Sequence, residues 1–149
     1  MGLIFRILLA LNFLTVGASI QANDHITTVA DYAHIIDFDS NRVLLSKNAD
    51  SPMKPASMAK IMTMYIVFSL ISEGSLSLED EFLVSEKAWK MGGSRSFLDV
   101  GTRVSIEELI NGIAVQSGND AAVVIAEGIS GSEEAFSDEM NSIAKKLGL

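Results

Sequence analysis

The apolar stretch at residues 54–71, KPASMAKIMTMYIVFSLI, sets the strongest limit on how the chain folds. After Pro55 almost every residue is apolar, and proline is tolerated in the first turn of a helix but not inside it. The stretch therefore predicts a buried helix over about residues 56–72, ending before Gly74. Lys60 lies inside this run, where an ammonium group needs an explanation.

Ser57 lies three residues before Lys60, so the two side chains share one face of the predicted helix. Burying an unpaired ammonium costs several kcal/mol, and such a group tends to become neutral instead. A neutral amine beside a hydroxyl is a general base, which predicts a serine nucleophile with a lysine base. The alternative is that Lys60 extends to solvent while Ser57 caps the helix.

The Ser-x-x-Lys pattern is weak by itself because it occurs three times, at Ser51/Lys54, Ser57/Lys60 and Ser142/Lys145. The first pair precedes Pro55, which disfavours the α conformation for the residue before it. The third pair lies late in an amphipathic helix, where a lysine is expected from the helix dipole. Context therefore favours the middle pair as the chemical one.

A second polar signal is QSGND, with Ser117, Gly118 and Asn119 between two apolar helices. A hydroxyl and an amide drawn into the interior there can relay a proton and bind a substrate amide. The alternative is a capping loop in which Asn119 and Asp120 begin the second helix. The other Ser-x-Asn, at residues 46–48, closes a predicted strand and suggests a turn.

The remaining segments predict an α/β (α+β) chain. Residues 31–50 form a β-hairpin around a turn at residues 39–41, and residues 75–104 hold a helical turn, a strand and a glycine-rich loop. A capping box at Ser105 and Glu108 begins a helix, and residues 132–148 form an amphipathic helix. Only two strands are firmly predicted, and a lone hairpin is rarely stable, so we expect a fragment of a longer protein.

Residues 1–22 have the layout of a signal peptide, with one cation, an apolar run and small residues. Cleavage is expected after Ala22 or Ala18, leaving residues 23–149 as an incomplete catalytic domain. The alternative is a membrane anchor, but the apolar run is short for spanning a bilayer.

Composition excludes several functional classes. Removing residues 1–22 leaves 10 basic against 19 acidic residues, a formal charge of −9, which argues against nucleic acid and anionic membrane surfaces as partners. The chain has no cysteine, and its two histidines, His25 and His34, lie near the predicted mature N-terminus. A zinc site and a Ser-His-Asp triad are therefore not expected, and we predict neither metal nor cofactor.

The segments KPASMAKIMTMYIVF and MGGSRSFLDVGTRVSIEELINGIAVQSGNDAAVVIAEGISGSEEAF, with the hairpin before them, resemble the low-molecular-mass penicillin-binding D-alanyl-D-alanine carboxypeptidases. The resemblance extends from about Tyr32 to Leu149. It implies the fold shared by β-lactamases and DD-peptidases, an antiparallel sheet packed against a helical cluster, here truncated to the first strands and the helical part. It also implies a periplasmic enzyme at the outer face of the inner membrane.

The same resemblance implies a role for each residue of the two motifs. Ser57 would attack the carbonyl between the two terminal D-alanines of a peptidoglycan stem peptide, and Lys60 would take its proton. Ser117 would pass a proton to the departing amine, and Asn119 would bind Lys60 and the substrate peptide. The backbone N–H of Ser57 would supply half of an oxyanion hole, and β-lactam antibiotics would acylate Ser57.

The sequence departs from the family pattern at the third motif, because no Lys-Thr-Gly occurs in its 149 residues. This motif, which binds the substrate carboxylate, and a membrane-associating segment found in many members are expected beyond Leu149. We therefore expect the chain alone to be inactive. Two alternatives are a class A β-lactamase, although Gly118 stands where those enzymes have aspartate, and a catalytically incomplete cell-wall or β-lactam-binding fragment.

Overall fold

The computed structural model describes residues 26–149, so the predicted signal peptide and His25 lie outside the described residues. The chain divides into two compact units, residues 1–53 and residues 54–149. We describe each unit separately.

The first unit contains the predicted hairpin. Strand β1 (Ala33–Ile36) pairs antiparallel with β2 (Val43–Lys47), with Ile35 opposite Leu45. The turn is closed by Asp37, whose N–H donates to the Arg42 carbonyl at 2.8 Å. Asn48 has a positive φ of 49° and donates its side-chain amide to the Asp31 carbonyl, so the Ser-x-Asn at residues 46–48 is turn chemistry as predicted.

The second unit is mostly helical. A 3-10 turn (Ala56–Met58) precedes five α-helices and two short strands. In chain order these are α1 (Ala59–Ser72), β3 (Glu81–Leu83), α2 (Glu86–Trp89), β4 (Arg103–Ser105), α3 (Ile106–Gln116), α4 (Asn119–Ser130) and α5 (Glu133–Leu147). Within residues 26–149, every helix is too short or too polar to cross a bilayer.

Helix α4 is the centre of this unit. Half of its twelve residues are buried, and it packs against α1, α2, α3, α5 and β3. A Cβ on Gly128 would lie 2.2 Å from the Phe82 ring, so only glycine lets α4 approach β3 this closely. The predicted capping box at the start of α3 is present, and the amphipathic α5 buries Phe136 against the same core.

Two predictions about this unit need correction. Helix α1 was expected to be buried, but it buries only the face that carries Thr63, Ile66 and Val67, and Ile61 is 72% exposed. The neighbours α4 and α5 cover only that face in the described residues. Strand β4, paired antiparallel with β3, was missed because three residues ending in a helix cap give no alternation to detect.

Candidate active site

The amine of Lys60 is the centre of a hydrogen-bond network that joins the start of α1 to the α3–α4 junction. Its Nζ contacts the Ser117 carbonyl at 2.8 Å, the Ser117 Oγ at 3.3 Å and the Asn119 Oδ1 at 2.5 Å. The chain therefore brings together three of the four predicted site residues across 57 to 59 positions of sequence. Because the amine is satisfied inside the fold, the alternative in which it extends to solvent does not describe this structure.

Ser57 lies in the 3-10 turn and lines the same cavity of about 490 Å³ as Lys60 and Asn119. Its side chain is exposed, and within residues 26–149 no hydrogen bond joins its hydroxyl to Lys60. Neither the 3-10 turn nor α1 has a side-chain cap, so Ser57 does not act as a helix cap. The preceding Ala56 has a φ of +48°, a strained conformation for a non-glycine residue.

Ser117 ends α3 in the left-handed conformation, with φ 53° and ψ 38°. This conformation is unusual for a residue with a side chain and costs about 1–2 kcal/mol. It turns the Ser117 carbonyl and hydroxyl toward the same amine, which a continuing helix would not do. The strained backbone of Ser117 is therefore the conformation that brings both of its oxygens to Lys60.

Asn119 is oriented by a glycine-rich loop, as its two amide atoms have different partners. Its Nδ2 donates to the Gly92 carbonyl at 2.8 Å, which directs Oδ1 toward Lys60. Its backbone N–H donates to the Ser94 carbonyl at 2.8 Å. A Cβ on Gly93, whose φ is +77°, would lie 2.9 Å from Asn119 Nδ2. The loop thus borders the site.

The alternative in which Asn119 and Asp120 cap α4 does not describe this structure. The N-cap is Gly118, which has no side chain, and the one first-turn N–H that Asp120 binds is that of the adjacent Ala121. The Asn119 amide is engaged by Lys60 and Gly92, while the Asp120 carboxylate turns toward the loop at residues 94–98. The side chains that the local sequence pattern assigned to capping therefore form tertiary hydrogen bonds instead.

Burial lowers the pKa of the Lys60 amine, and the nearby Asp120 carboxylate opposes this by raising it. The net effect is a pKa below the ordinary value for lysine. A larger fraction of Lys60 is therefore neutral near pH 7 than for a solvated lysine.

The network allows proton exchange between Lys60 and one particular neighbour. A neutral amine has two N–H donors and one lone pair. The Ser117 carbonyl and the Asn119 Oδ1 can only accept, so they take the two donors. The Ser117 hydroxyl can accept from an ammonium or donate to a neutral amine, which makes it the partner through which a proton can pass.

Comparison with known proteins identifies the family. The model of the D-alanyl-D-alanine carboxypeptidase family, Peptidase_S11, matches residues 18–149. The chain belongs to this family. The D-alanyl-D-alanine carboxypeptidase DacF of Bacillus subtilis (strain 168) is 40% identical over 153 residues, which cover 99% of this chain and 39% of DacF. The chain therefore spans about two fifths of the length of that relative.

Solved structures of the family confirm the predicted fold class. The D-alanyl-D-alanine carboxypeptidase DacD from Francisella tularensis superposes with a TM-score of 0.77 at 40% identity, covering 83% of this chain and 30% of that one. Penicillin-binding protein 5 from Haemophilus influenzae superposes with a TM-score of 0.72 at 35% identity, covering 83% and 38%.

The structure explains why this carboxypeptidase-family chain has glycine in the middle of Ser-x-Asn. A Cβ on Gly118 would lie 2.2 Å from the Ser96 Oγ and 3.0 Å from the Asp120 Oδ1. The aspartate of the β-lactamase pattern would therefore collide with the loop that carries Ser96. The Ser96 hydroxyl is itself buried, and within the described residues it has no hydrogen-bond partner.

We expect Gly118→Ala to lower the free energy of unfolding by about 1–3 kcal/mol, since the new methyl group overpacks this contact. Adding Ser96→Gly removes the colliding hydroxyl and should restore most of the loss, so that urea unfolding of the four variants gives a coupled double-mutant cycle. Gly92→Ala is the control, because no heavy atom lies within 4 Å of its Cβ position. Additive effects at positions 118 and 96 would contradict the steric explanation.

Asp120, which lies beside the candidate site, was not among the site residues predicted from the sequence. Its side chain is fully buried, and its carboxylate holds the loop that orients Asn119. The available signal was the one that singled out Lys60, a charged residue inside an apolar helix. It was overlooked because aspartate near a helix start has an ordinary capping explanation.

Proposed function

We propose that this chain supplies the nucleophile, the base and the amide-binding groups of a serine-type D-alanyl-D-alanine carboxypeptidase. The observation that carries the proposal is the position of the Lys60 amine, which is held by Ser117 and Asn119 in a cavity that Ser57 also lines. The family membership and the names of the relatives point to the same reaction.

In the proposed acylation step, the Ser57 Oγ attacks the carbonyl carbon between the two terminal D-alanines of a peptidoglycan stem peptide. Neutral Lys60 accepts the hydroxyl proton, and the backbone N–H of Ser57 stabilises the negative charge on the carbonyl oxygen. The C–N bond then breaks, and the Ser117 hydroxyl gives its proton to the departing D-alanine amine. Lys60 returns its proton to Ser117, which leaves an ester on Ser57.

Deacylation reverses these roles, with water as the attacking group. Water adds to the ester carbonyl, its proton passes to Lys60, and the shortened peptide leaves as the Ser57 oxygen is protonated again. Asn119 has one Nδ2 hydrogen beyond the bond to Gly92, and we assign this hydrogen to a carbonyl of the stem peptide. Neither a metal nor a cofactor enters the proposed reaction.

β-Lactam antibiotics are the second proposed ligand class. The related Haemophilus influenzae protein is named for binding penicillin. A strained β-lactam amide offers Ser57 the same reaction, and the ring-opened ester would leave slowly. A class A-like β-lactamase would instead hydrolyse that ester rapidly, so the lifetime of the acyl-enzyme distinguishes the two enzymes.

The proposed location is the periplasm, at the outer face of the inner membrane, after removal of residues 1–22 and with residues 23–149 as part of the catalytic domain. Membrane association through a further segment belongs to the same proposal. The sequence contains no Lys-Thr-Gly to bind the substrate carboxylate. We therefore expect the 149-residue chain to release little or no D-alanine by itself, as a catalytically incomplete fragment would.

Labelling with fluorescent penicillin tests this proposal. Two proteins are compared, the chain itself and a fusion in which the segment following the matched region of Bacillus subtilis DacF continues the chain. We expect covalent label on Ser57 in the fusion, persistent for many minutes, and little label on the chain alone. In the fusion, Ser57→Ala should remove the label completely without changing thermal unfolding.

Each other result has a defined meaning. An unlabelled but folded fusion, or label that remains in Ser57→Ala, contradicts the assignment of Ser57. Rapid turnover of penicillin by the fusion supports the β-lactamase alternative. Release of D-alanine by the chain alone contradicts the expectation that its site is incomplete.

A further inference from the structure

Asp120 lies directly after Asn119 and is fully buried, although aspartate is rarely buried without partners. Its carboxylate accepts hydrogen bonds from the backbone N–H of Ser96 at 2.8 and 3.1 Å, of Leu98 at 3.3 Å and of Ala121 at 2.9 Å. Two of these donors belong to the loop between α2 and β4. The carboxylate therefore joins that loop to the first turn of α4.

The loop that Asp120 holds is the one that orients Asn119. Gly92 and Ser94 accept the Nδ2 and backbone N–H of Asn119, a few residues before the two N–H groups bound by Asp120. Residues 92–99 form neither helix nor strand, so regular backbone pairing does not hold them in place. The adjacent residues Asn119 and Asp120 of α4 thus form hydrogen bonds with neighbouring parts of one irregular loop.

The Asp120 carboxylate is held in its charged form. Burial by itself raises the pKa of Asp120, but the backbone N–H groups of Ser96, Ala121, Leu98 and Phe97 outweigh burial and hold the pKa below its usual value. The Arg95 Nε lies 3.9 Å from the Asp120 Oδ2. A negative charge is therefore present beside Lys60 throughout the neutral pH range.

We propose that Asp120 is a positioning residue for the carboxypeptidase reaction, which fixes the loop at residues 92–98 and through it the Asn119 amide against Lys60. The role assigned to Asp120 rests on the proposed function, but the contacts from which it is argued do not. Without the carboxylate, the loop carbonyls that orient the amide are no longer anchored. Asn119 then loses the orientation that presents Oδ1 to the amine.

Two carboxylates near Lys60 can affect the pKa of its amine. Asp120 faces Lys60 from α4, and Glu133, at the start of α5, lines the same cavity. Glu133 is paired with Lys87 of α2 at 2.6 Å. Substitution of Asp120 leaves the Glu133–Lys87 pair intact, so a change in the pKa of Lys60 in that variant reports the loss of the Asp120 charge.

The test is an NMR comparison of the 149-residue chain with its D120N variant, which keeps the side-chain shape and removes the charge. In D120N we expect the Asn119 side-chain amide signals to move toward those of a solvated amide. We also expect the pKa of Lys60, followed through its labelled Cε, to fall. Exchange of the Ser96 and Leu98 backbone amides should accelerate about tenfold to a hundredfold, as expected for losing charge-assisted hydrogen bonds.

Two controls separate positioning from a general loss of stability. D99N makes the same chemical change at an exposed residue of the same loop and should leave all three signals unchanged. G128A disturbs the Phe82 contact in the core and should lower stability without moving the Asn119 signals. Asn119 signals that stay in place in folded D120N, or that move equally in G128A, would overturn the proposal.

If D120N does not fold, the wild-type chain supplies the measurement. On acidification, the Ser96, Leu98 and Asn119 amide signals should shift together with protonation of the Asp120 carboxyl. Independent shifts would refute the coupling. None of these measurements uses penicillin or peptide, so unlabelled Ser57 would contradict the proposed function while leaving this result standing.

Discussion

Replacing Lys60 with methionine is expected to slow acylation of Ser57 by penicillin about 10²–10⁴-fold in the DacF-extended fusion. Methionine has a similar length and fits the apolar surroundings but cannot accept a proton. A serine hydroxyl is a weak nucleophile without a base to accept its proton. The measurement is the stopped-flow rate of covalent labelling at saturating penicillin.

The pH dependence of the same reaction gives a second readout. Burial holds the pKa of Lys60 below its ordinary value, so the wild-type rate should rise as pH increases through that lowered pKa. The Lys60→Met variant should lack this rise. Lys90→Met is the control, because Lys90 is exposed and its one ion pair among residues 26–149 is with Glu86. Similar acylation rates in wild type and Lys60→Met would exclude Lys60 as the base.

Removing the Asp120 carboxylate is expected to have the largest effect on stability. Asp120→Ala leaves the N–H groups of Ser96 and Leu98 without their acceptor and opens a void at the start of α4. Hydrogen bonds to a charged group contribute about 1.5–3 kcal/mol each, so we expect a loss of about 3–5 kcal/mol in the free energy of unfolding. Urea unfolding at pH 7 measures it, with Asp99→Ala as the exposed control.

This loss should depend on pH in a defined direction. Because the pKa of Asp120 is lower in the folded chain than in the unfolded chain, its contribution is present above the ordinary carboxyl pKa. It disappears as pH falls through the lowered value. The difference between wild type and Asp120→Ala should therefore shrink in acid. An equal difference at neutral and acidic pH would mean that the ionised carboxylate is not responsible.

The parts of the fold that follow from local patterns were predicted well. The hairpin at β1 and β2, the helix after Pro55 and the capping box at Ser105 each depend on residues within a few positions of one another. Strand β4 was not predicted, because a three-residue strand is defined by its partner β3 rather than by its own sequence.

The candidate site was predicted unevenly for the same reason. Spacing and context selected Ser57, Lys60, Ser117 and Asn119, and their roles remain a prediction. The hydrogen-bond partners of Lys60 were predicted only in part. The resemblance implied the bond between Asn119 and Lys60, which the structure contains, whereas the expected contact between Ser57 and Lys60 is not found among the described residues and Ser117 is a partner instead. The nitrogen of Lys60 binds whatever acceptors surround it in the folded chain, and these come from a helix junction distant in sequence.

The order of residues was enough to reveal a polar group that an apolar helix would not otherwise contain, since burial of charge is costly wherever it occurs. It was also enough to reveal the family motifs. The contacts that Ser117 makes with Lys60, and those by which Asp120 and the glycine-rich loop hold Asn119, became visible only in the folded chain. Hydrogen-bond partners depend on distances in space, which the local spacing of residues does not specify.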